Sequence, residues 1–247
     1  MQRYFAENVE DIFFVEKEDF HHITRVMRMK LGDELYCVNH QEQAARCFIE
    51  KITENQVIAK VVQWLEEAKE LPVSVSIVIG LPKGDKLEWI IQKGTELGAS
   101  TFIPFIAARS VVKWDEKKSD KKLARWNKIA KEAAEQSHRN KTPEVMAPVK
   151  LKGLIELGNH YDLKLIAYEE EAKAGESSVL ASNLKQLECG KSILVVFGPE
   201  GGLTEAEVSA LKENGFQTCG LGPRILRTET APLYLLSAVS YHYELLR

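Results

Sequence analysis

The first seventy residues carry short hydrophobic segments that are separated by turn-forming pairs. Residues 34–38, 44–52 and 56–63 are rich in β-branched and aromatic side chains, which is typical of strands. The breaks around them are Gly32-Asp33, Asn39-His40 and Glu54-Asn55. Short strands at this spacing predict a small β-barrel, with one helix at residues 19–28.

The pattern changes after a charged segment that ends at Pro72. Continuous apolar runs then alternate with stretches in which apolar residues recur at helical spacing. The predicted strands are 73–79, 101–107, 163–168 and 192–197, and the predicted helices are 85–97, 119–139 and 179–187. This alternation predicts a parallel sheet covered on both faces. We therefore expect an α/β protein with two domains, residues 1–71 and 72–247.

The net charge of −3 hides an uneven distribution along the chain. Residues 71–150 contain 15 lysine and arginine residues against 9 acidic ones, whereas the segments on either side are acidic overall. Phosphate contacts act over about a Debye length, so a local basic patch is compatible with RNA binding. From charge alone, a solvated lysine-rich helix is an equally good interpretation of residues 119–139.

The composition argues against several other classes of protein. The four cysteines form no C-x-x-C pair and no zinc-like cluster, so we expect reduced thiols and no metal site. The longest apolar runs have the length of strands rather than of membrane spans. The first residues lack the apolar core of a signal peptide, and we expect a cytoplasmic protein.

A glycine-rich loop follows the apolar strand 192–197. It reads Gly198-Pro199-Glu200-Gly201-Gly202, and Thr204 with Glu207 then predicts a capping box at the start of a helix. Glycines after a parallel strand let the backbone approach a ligand at the carboxyl edge of the sheet. The loop lacks the G-x-G-x-x-G pattern, so a dinucleotide site and a dehydrogenase are disfavoured.

A second glycine loop, Leu221-Gly222-Pro223-Arg224, leads into the last predicted helix. Thr228 or Thr230 is expected to cap this helix, and Pro232 is tolerated in its first turn. Two interpretations of the charges here remain open. Arg224 and Arg227 form a structural network with Glu229 and Glu200, or at least one arginine contacts an RNA phosphate or the target base.

Six motifs in order make the chain resemble the RsmE family of RNA methyltransferases. They are Lys83-Gly84-Asp85, Lys93 to Gly98, Arg109-Ser110, Glu132 to Arg139, Gly198 to Gly202 and Leu221 to Ala231. Residues 1–70 are similar to the PUA-like barrel of that family, with the match centred on Arg25 to Asp33. The motifs cover most of residues 73–247.

The resemblance implies a homodimer of the SPOUT class whose parallel-sheet domain contains a deep trefoil knot. It also implies that S-adenosylmethionine (SAM) is the cofactor and that N3 of one uridine in 16S rRNA of the small ribosomal subunit is methylated. General rules of chain topology would instead predict an unknotted sheet. The implied cofactor-binding residues are Gly80, Leu81, Phe197, Gly198, Pro199, Glu200, Gly201, Leu221, Gly222, Ile225, Leu226, Thr230 and Ala231.

The proposed chemistry assigns roles to four charged residues. Because uridine N3 carries a proton, Arg224 or Arg227 is expected to stabilise negative charge on the base, and Glu200 or Glu229 to accept the proton. The predicted RNA-binding residues are Arg25, Arg28, Lys30, Lys83, Arg109, Gln136 and Arg139. His138 is interpreted as a surface residue rather than a base.

Two alternative functions share these features. A SPOUT ribose 2′-O-methyltransferase would use the same cofactor loops on a sugar hydroxyl. A non-catalytic RNA-binding protein of ribosome assembly would keep the fold without binding SAM.

Overall fold

The computed structural model describes residues 1–112, 114, 116–168 and 178–246. The chain divides into two compact units. Unit 1 comprises Met1–Glu70 and Ala134–Lys141, and unit 2 comprises Leu71–Ala133 and Thr142–Arg247. The segment Ala134–Lys141 therefore groups with the N-terminal unit, although the sequence pattern placed it in the second domain.

Unit 1 is built on a six-stranded sheet. Its strands are β1 (Arg3–Phe5), β2 (Glu7–Val9), β3 (Ile12–Glu16), β4 (Glu34–Val38), β5 (Ala44–Ile52) and β6 (Gln56–Leu65). The strand order is β1-β4-β5-β6-β3-β2, so β1 and β2 form the two edges. Only Ala6 separates these edge strands in the chain, which requires the sheet to curl until its edges meet. A helix, α1 (Lys17–His21), continues into a π-helical turn at His22–Val26.

Alternating residues of these strands form the core of unit 1. Phe13 and Val15 of β3, Leu35 and Cys37 of β4, and Val57 and Ala59 of β6 are fully buried. This period of two is what a strand with one buried face requires. The predicted barrel-like pattern is confirmed in this curled sheet.

Unit 2 contains a second six-stranded sheet, in which all pairs are parallel. Its strands are β7 (Ser74–Gly80), β8 (Thr101–Phe105), β9 (Glu144–Val145), β10 (Leu163–Ala167), β11 (Ser192–Phe197) and β12 (Gln217–Cys219). Its helices are α2 (Lys86–Glu96), α3 (Ser119–Gln136), α4 (Leu151–Gly158), α5 (Val179–Gln186), α6 (Glu205–Glu213) and α7 (Thr230–Ser240), and α7 is followed by a π-helical turn at Tyr241–Leu245. The predicted parallel α/β sheet is confirmed.

Both faces of this sheet are covered. Ile77, Ile79 and Val195 belong to one buried cluster, and their neighbours Val78 and Val196 belong to another. The strands are therefore apolar on both sides, as their continuous hydrophobic runs predicted. None of the described helices has the length and apolar character needed to cross a membrane.

The strand order brings the two glycine loops to one edge. The order is β12-β10-β11-β7-β8-β9, so β10 is the only strand between β11 and β12. Because the strands are parallel, the loops that follow β11 and β12 leave the sheet at the same carboxyl edge. The trefoil knot that the family resemblance implies remains a prediction about the path of the chain.

Candidate active site

A cavity of about 500 Å³ lies at this carboxyl edge, within the usual size range of a small-molecule site. Most of the predicted cofactor residues line it: Phe197, Gly198, Pro199, Glu200, Gly201, Leu221, Ile225, Leu226 and Ala231. Arg224 and Arg227 line it as well. The lining does not include Gly80, Leu81, Gly222, Thr230 and Glu229 among the described residues. The structure thus brings the two glycine loops together as walls of one cavity.

The first glycine loop folds tightly on itself. A β-carbon on Gly198 would lie 3.0 Å from the backbone nitrogen of Leu203, and one on Gly80 would lie 2.4 Å from Cδ of Pro199. Gly202 has a φ of +69°, and its N–H donates to the carbonyl of Pro199 at 2.8 Å. Side chains larger than hydrogen do not fit at Gly80 without moving backbone. Gly80 therefore packs directly against Pro199 of the first glycine loop.

The predicted capping box after this loop is confirmed. The N–H of Glu207 donates to Oγ1 of Thr204 at 3.2 Å, and the N–H of Thr204 donates to Oε2 of Glu207 at 2.8 Å. The second carboxylate oxygen of Glu207 accepts the N–H of Ala108 at 2.8 Å. The same side chain thus fixes the start of α6 and the loop after β8.

The expected threonine cap at the second loop is not observed. Helix α7 begins at Thr230, and its N-cap residue is Glu229, which makes no side-chain capping bond. The carbonyl of Arg227 accepts the N–H groups of Thr230 and Ala231 instead. A backbone carbonyl therefore accepts the first N–H groups of α7, in place of the predicted side chain of Thr228 or Thr230. Pro232 lies buried in the first turn of α7, as expected.

Lys86 joins the two loops through its ammonium group. Its Nζ lies 3.0 Å from Oε1 of Glu200 and 3.2 Å from Oε2 of Glu229. Oε1 of Glu200 also accepts the N–H of Lys83 at 3.2 Å. Lys86 is the first residue of α2 and lines the cavity. One side chain therefore connects the first glycine loop, the entrance of α7 and the start of α2.

The pKa of both carboxyl groups lies below its ordinary value. Partial burial acts to raise the pKa of Glu200, but its own N–H, the Lys86 ammonium and the N–H of Lys83 outweigh it and hold the pKa below its ordinary value. Hydrogen bonding to its own N–H, followed by Lys86, lowers the pKa of Glu229. A carboxylate with a lowered pKa is a weaker proton acceptor. The structure therefore argues against Glu200 and Glu229 as general bases.

In one of the two interpretations of these charges, Arg224 and Arg227 pair with Glu200 and Glu229, but Lys86 occupies that position instead. Within the described part of the chain, no ion pair within 4.0 Å joins Arg224 or Arg227 to Glu200 or Glu229. Both arginines are exposed and line the cavity. The interpretation in which an arginine contacts the substrate therefore fits the geometry better than the structural one.

Arg109 is part of the cavity wall as well as a candidate RNA contact. Its Nη1 donates to the carbonyls of Gly201 at 3.2 Å and Leu203 at 3.4 Å. A β-carbon on Gly201 would lie 3.1 Å from the β-carbon of Arg109. The loop after β8 and the first glycine loop therefore pack directly on each other.

The cavity carries an excess of positive charge. Lys86, Arg109, Arg224 and Arg227 line it, and Glu200 is its acidic lining residue. Glu200 and Glu229 account for Lys86, which leaves Arg109, Arg224 and Arg227. SAM has a positively charged sulfonium and a single carboxylate, so attraction to the cofactor does not explain three arginines, whereas an anionic second ligand does.

The remaining predicted RNA-binding residues lie outside the cavity lining. Arg25, Arg28 and Lys30 of unit 1 and Lys83 of unit 2 are exposed, as an RNA contact requires, and so is Gln136. The prediction that Arg139 binds RNA is wrong. It is buried, and its guanidinium is held by the carboxylate of Glu70. This side chain stabilises unit 1 and is not accessible to RNA.

His138 is half-buried rather than a surface residue. Burial, followed by the nearby Arg3 guanidinium, lowers its pKa below the ordinary value. Its backbone has a φ of +58°, and its carbonyl accepts a hydrogen bond from Arg3 at 2.8 Å. These contacts make it part of the packing of unit 1. No cluster of potential metal ligands occurs in the described residues.

Sequence reasoning missed the lining residues that lie outside the two glycine loops: Lys86, Ala167, Tyr168 and Leu203. A signal for Lys86 was present. A cation in the first turn of a helix opposes the helix dipole, so its position calls for nearby carboxylates. Tyr168 and Leu203 carry no such signal, because an apolar residue after a strand is as readily assigned to the core.

Comparisons with known proteins agree with this geometry. Residues 69–240 match a family model described as an RNA methyltransferase domain, and residues 15–62 match an RNA methyltransferase PUA domain. The Bacillus subtilis ribosomal RNA small subunit methyltransferase E is 54% identical over 253 residues, which cover 100% of this chain and 99% of that protein. The protein of the same name from Synechocystis is 35% identical over 89% of this chain and 70% of its own length.

A solved structure extends the similarity to three dimensions. The ribosomal RNA small subunit methyltransferase E of Neisseria gonorrhoeae, bound to S-adenosyl methionine, superimposes with a TM-score of 0.84 at 28% identity. The match covers 98% of each chain.

Proposed function

The chain belongs to the RsmE family of RNA methyltransferases, and from this we propose that it transfers the methyl group of SAM to N3 of one uridine in small-subunit 16S rRNA. The proposal includes a cytoplasmic protein that acts as a homodimer. The observation that carries it is the cavity formed by two glycine loops and lined by four cations.

The residues of the cavity fit SAM. A β-carbon on Gly198 would crowd the backbone of Leu203 and one on Gly201 would crowd Arg109, so the glycines let the first loop fold tightly as a wall that exposes backbone groups to the adenosine. Leu221, Ile225 and Leu226 of the second loop supply an apolar wall. When bound, the cofactor supplies an activated methyl group, and the protein has mainly to position the two reactants.

The positive charge suits the second substrate. N3 of uridine is engaged in base pairing within a duplex, so the base has to be unpaired or flipped out. Loss of its proton places negative charge on the two neighbouring carbonyl oxygens. Arg224 and Arg227, both exposed at the cavity, are positioned to stabilise that charge. We assign the proton to solvent, because Lys86 weakens both nearby carboxylates as bases.

The test is methyl transfer from labelled SAM to undermethylated small ribosomal subunits and to naked rRNA, with the product mapped by mass spectrometry. We expect one modified uridine with the methyl group on the base at N3. Methylation of a ribose hydroxyl would instead identify a 2′-O-methyltransferase. Absence of both transfer and SAM binding would favour a role in ribosome assembly.

A further inference from the structure

Helix α3 carries a row of basic side chains on one face. We call Lys117, Lys121, Arg125 and Lys128 the α3 stripe; Lys117 belongs to the short 3-10 turn, Glu116–Lys118, that precedes the helix. Spacings of four and three residues place Lys121, Arg125 and Lys128 along one side of α3, and Lys117 precedes Lys121 by four residues. All four are exposed, whereas Trp126 and Ala130 of the same helix are buried.

The charge of this segment has one predominant sign. Residues 116–128 contain six lysine and arginine residues and two acidic ones, in a chain whose net charge is −3. Lys122 is not part of the stripe. Its Nζ lies 5.1 Å from the ring centre of Trp114, which in turn packs on Trp126 at 5.6 Å. These aromatic contacts anchor the start of α3 through Lys122 and Trp126, which are not members of the stripe.

The stripe contacts the helix that carries Lys86. Nη2 of Arg125 lies 2.6 Å from Oε2 of Glu88 in α2. Glu88 follows Lys86, which lines the cavity, by two residues. Arg125, Glu88 and Lys86 all belong to unit 2. The stripe and the cavity therefore belong to the same unit, and α2 contributes a residue to each of them.

We propose that the α3 stripe binds phosphate groups of the rRNA substrate outside the methylation cavity. The inference rests on the proposed function. Charge complementarity selects RNA as the partner, because a row of exposed cations, one per helical turn of about 5.4 Å, matches a polyanion. The stripe gives the protein affinity for the backbone, whereas the cavity selects the base.

Two ion pairs of the stripe, those of Arg125 with Glu88 and of Lys128 with Glu132, contribute little to folding. Arg125 is 66% exposed in its pair with Glu88, and Lys128 lies 4.0 Å from Glu132 with both side chains half exposed. Exposed ion pairs of this kind contribute at most about 1 kcal/mol to folding. Replacement of the lysines is therefore expected to leave the fold intact.

The experiment compares the full-length wild type with the double variant Lys121→Ala/Lys128→Ala. RNA affinity is measured as a function of salt with undermethylated 16S rRNA, and SAM affinity and kcat at saturating RNA are measured in parallel. We expect the slope of log affinity against log salt to fall by about 2, one for each lost phosphate contact. SAM affinity and kcat stay at the wild-type values.

Two control variants make the result specific. Lys121→Arg/Lys128→Arg keeps the charges and is expected to keep the slope. Lys152→Ala/Lys212→Ala removes two exposed lysines from other helices of unit 2 and is expected to have no effect.

A wild-type slope in the Lys121→Ala/Lys128→Ala variant would overturn the proposal and leave a solvated face or an acidic protein partner as the explanation. An equal loss of slope in the Lys152→Ala/Lys212→Ala control would overturn it too. If the wild type binds rRNA but transfers no methyl group, the proposed function fails while the salt slopes still decide the role of the stripe.

Discussion

At the scale of single residues, Lys86 occupies a position that helices usually fill with an acid. It is the first residue of α2, where the helix dipole disfavours a cation. Glu200 and Glu229 offset that cost and raise the pKa of Lys86 above its ordinary value. Its charge is therefore fixed at neutral pH, and the contact acts as a permanent link between the two cofactor loops.

We expect Lys86→Met to weaken SAM binding about tenfold, because the two loops lose their common partner and the carboxylates repel each other. Calorimetry with the purified protein measures this. Lys86→Arg should restore most of the affinity. Lys93→Met removes a lysine that pairs with Glu96 within α2 and should bind SAM normally. Wild-type affinity in Lys86→Met would show that the link is dispensable.

The link also has a defined dependence on pH. Because the folded-state pKa values of Glu200 and Glu229 are lowered, the stabilisation is fully present above their ordinary values and is lost as pH falls through the folded values. The range from pH 6 to pH 8 lies about two units or more above the ordinary pKa of a glutamate. We therefore expect SAM affinity to show no titration from these groups in that range. A titration in that range that disappears in Glu200→Gln would contradict the geometry.

Arg227 is the sharper test of the chemistry. We expect Arg227→Ala to lower kcat by about a hundredfold or more, as the loss of a group that stabilises transition-state charge does. SAM affinity should change little. Single-turnover methyl transfer at saturating RNA measures the effect. Glu229→Gln should cost much less, and an equally large loss in that variant would restore Glu229 as the base.

Much of the site was predictable residue by residue, because glycines and charges at strand ends have few other uses. The partner of each charge was not. One interpretation paired Glu200 and Glu229 with arginines, but both reach Lys86, which lies more than a hundred positions away in the chain. Arg139 was expected at the surface, and Glu70 instead holds it inside unit 1. Such pairings depend on tertiary distances that no local pattern encodes.

At the scale of elements, Glu207 links two segments that the sequence pattern treated separately. Its capping box was predicted from Thr204 and Glu207 alone. The bond that its other carboxylate oxygen accepts from Ala108 was not, because it joins residues 99 positions apart. The start of α6 and the loop that carries Arg109 therefore depend on one buried carboxylate.

We expect Glu207→Ala to lower the free energy of unfolding by about 2–3 kcal/mol, since it removes the capping box and leaves the Ala108 N–H without its partner. Urea denaturation measures the loss. Glu205→Ala changes an exposed acid in the same helical turn and should cost less than about 1 kcal/mol. Equal losses in the two variants would mean that the bonds of Glu207 are unimportant.

The accuracy of the predicted element boundaries depended on how regular the sequence pattern of each element was. Strands β4 and β5 have the predicted bounds, because alternation of buried and exposed positions is clear there. Strands β1 and β2 were not delimited, since segments of three residues are too short for a period to emerge. Strand β3, with five residues, was missed as well. The helix predicted to end at residue 139 ends at Gln136, and His138 then adopts a positive φ.

At the scale of the whole molecule, the alternation of strands and helices predicted the parallel sheet, and the grouping of segments into units required the structure. The segment Ala134–Lys141 belongs to unit 1 because Arg3 holds it there. Arg3 is fully buried and donates to the carbonyl of His138 and to the side chain of Asn140, and its Nη2 lies 2.7 Å from Glu67. The Tyr36 ring packs against its guanidinium at 5.5 Å.

We expect Arg3→Met to destabilise unit 1 by about 3–5 kcal/mol, as the loss of one partner of a buried ion pair does. Hydrogen exchange should show that the amides of Ala134–Lys141 lose protection. Arg46→Met removes a half-exposed arginine of the same unit, whose pair with Glu34 spans 3.7 Å, and should cost little. Unchanged protection in Arg3→Met would mean that the apolar core alone holds the segment.

The positive charge of the cavity has a consequence for turnover. Methyl transfer converts the sulfonium of SAM into a neutral thioether, so the product is the less repelled of the two in a cavity lined by Lys86, Arg109, Arg224 and Arg227. We expect the demethylated product to bind more tightly than SAM, with a ratio that shrinks as salt screens the charges. Competition measurements at two ionic strengths test this. Release of the demethylated product, rather than the transfer step, then limits the rate of repeated turnover. The phosphates of incoming RNA neutralise the cations, so RNA binding narrows the difference in affinity between SAM and the product.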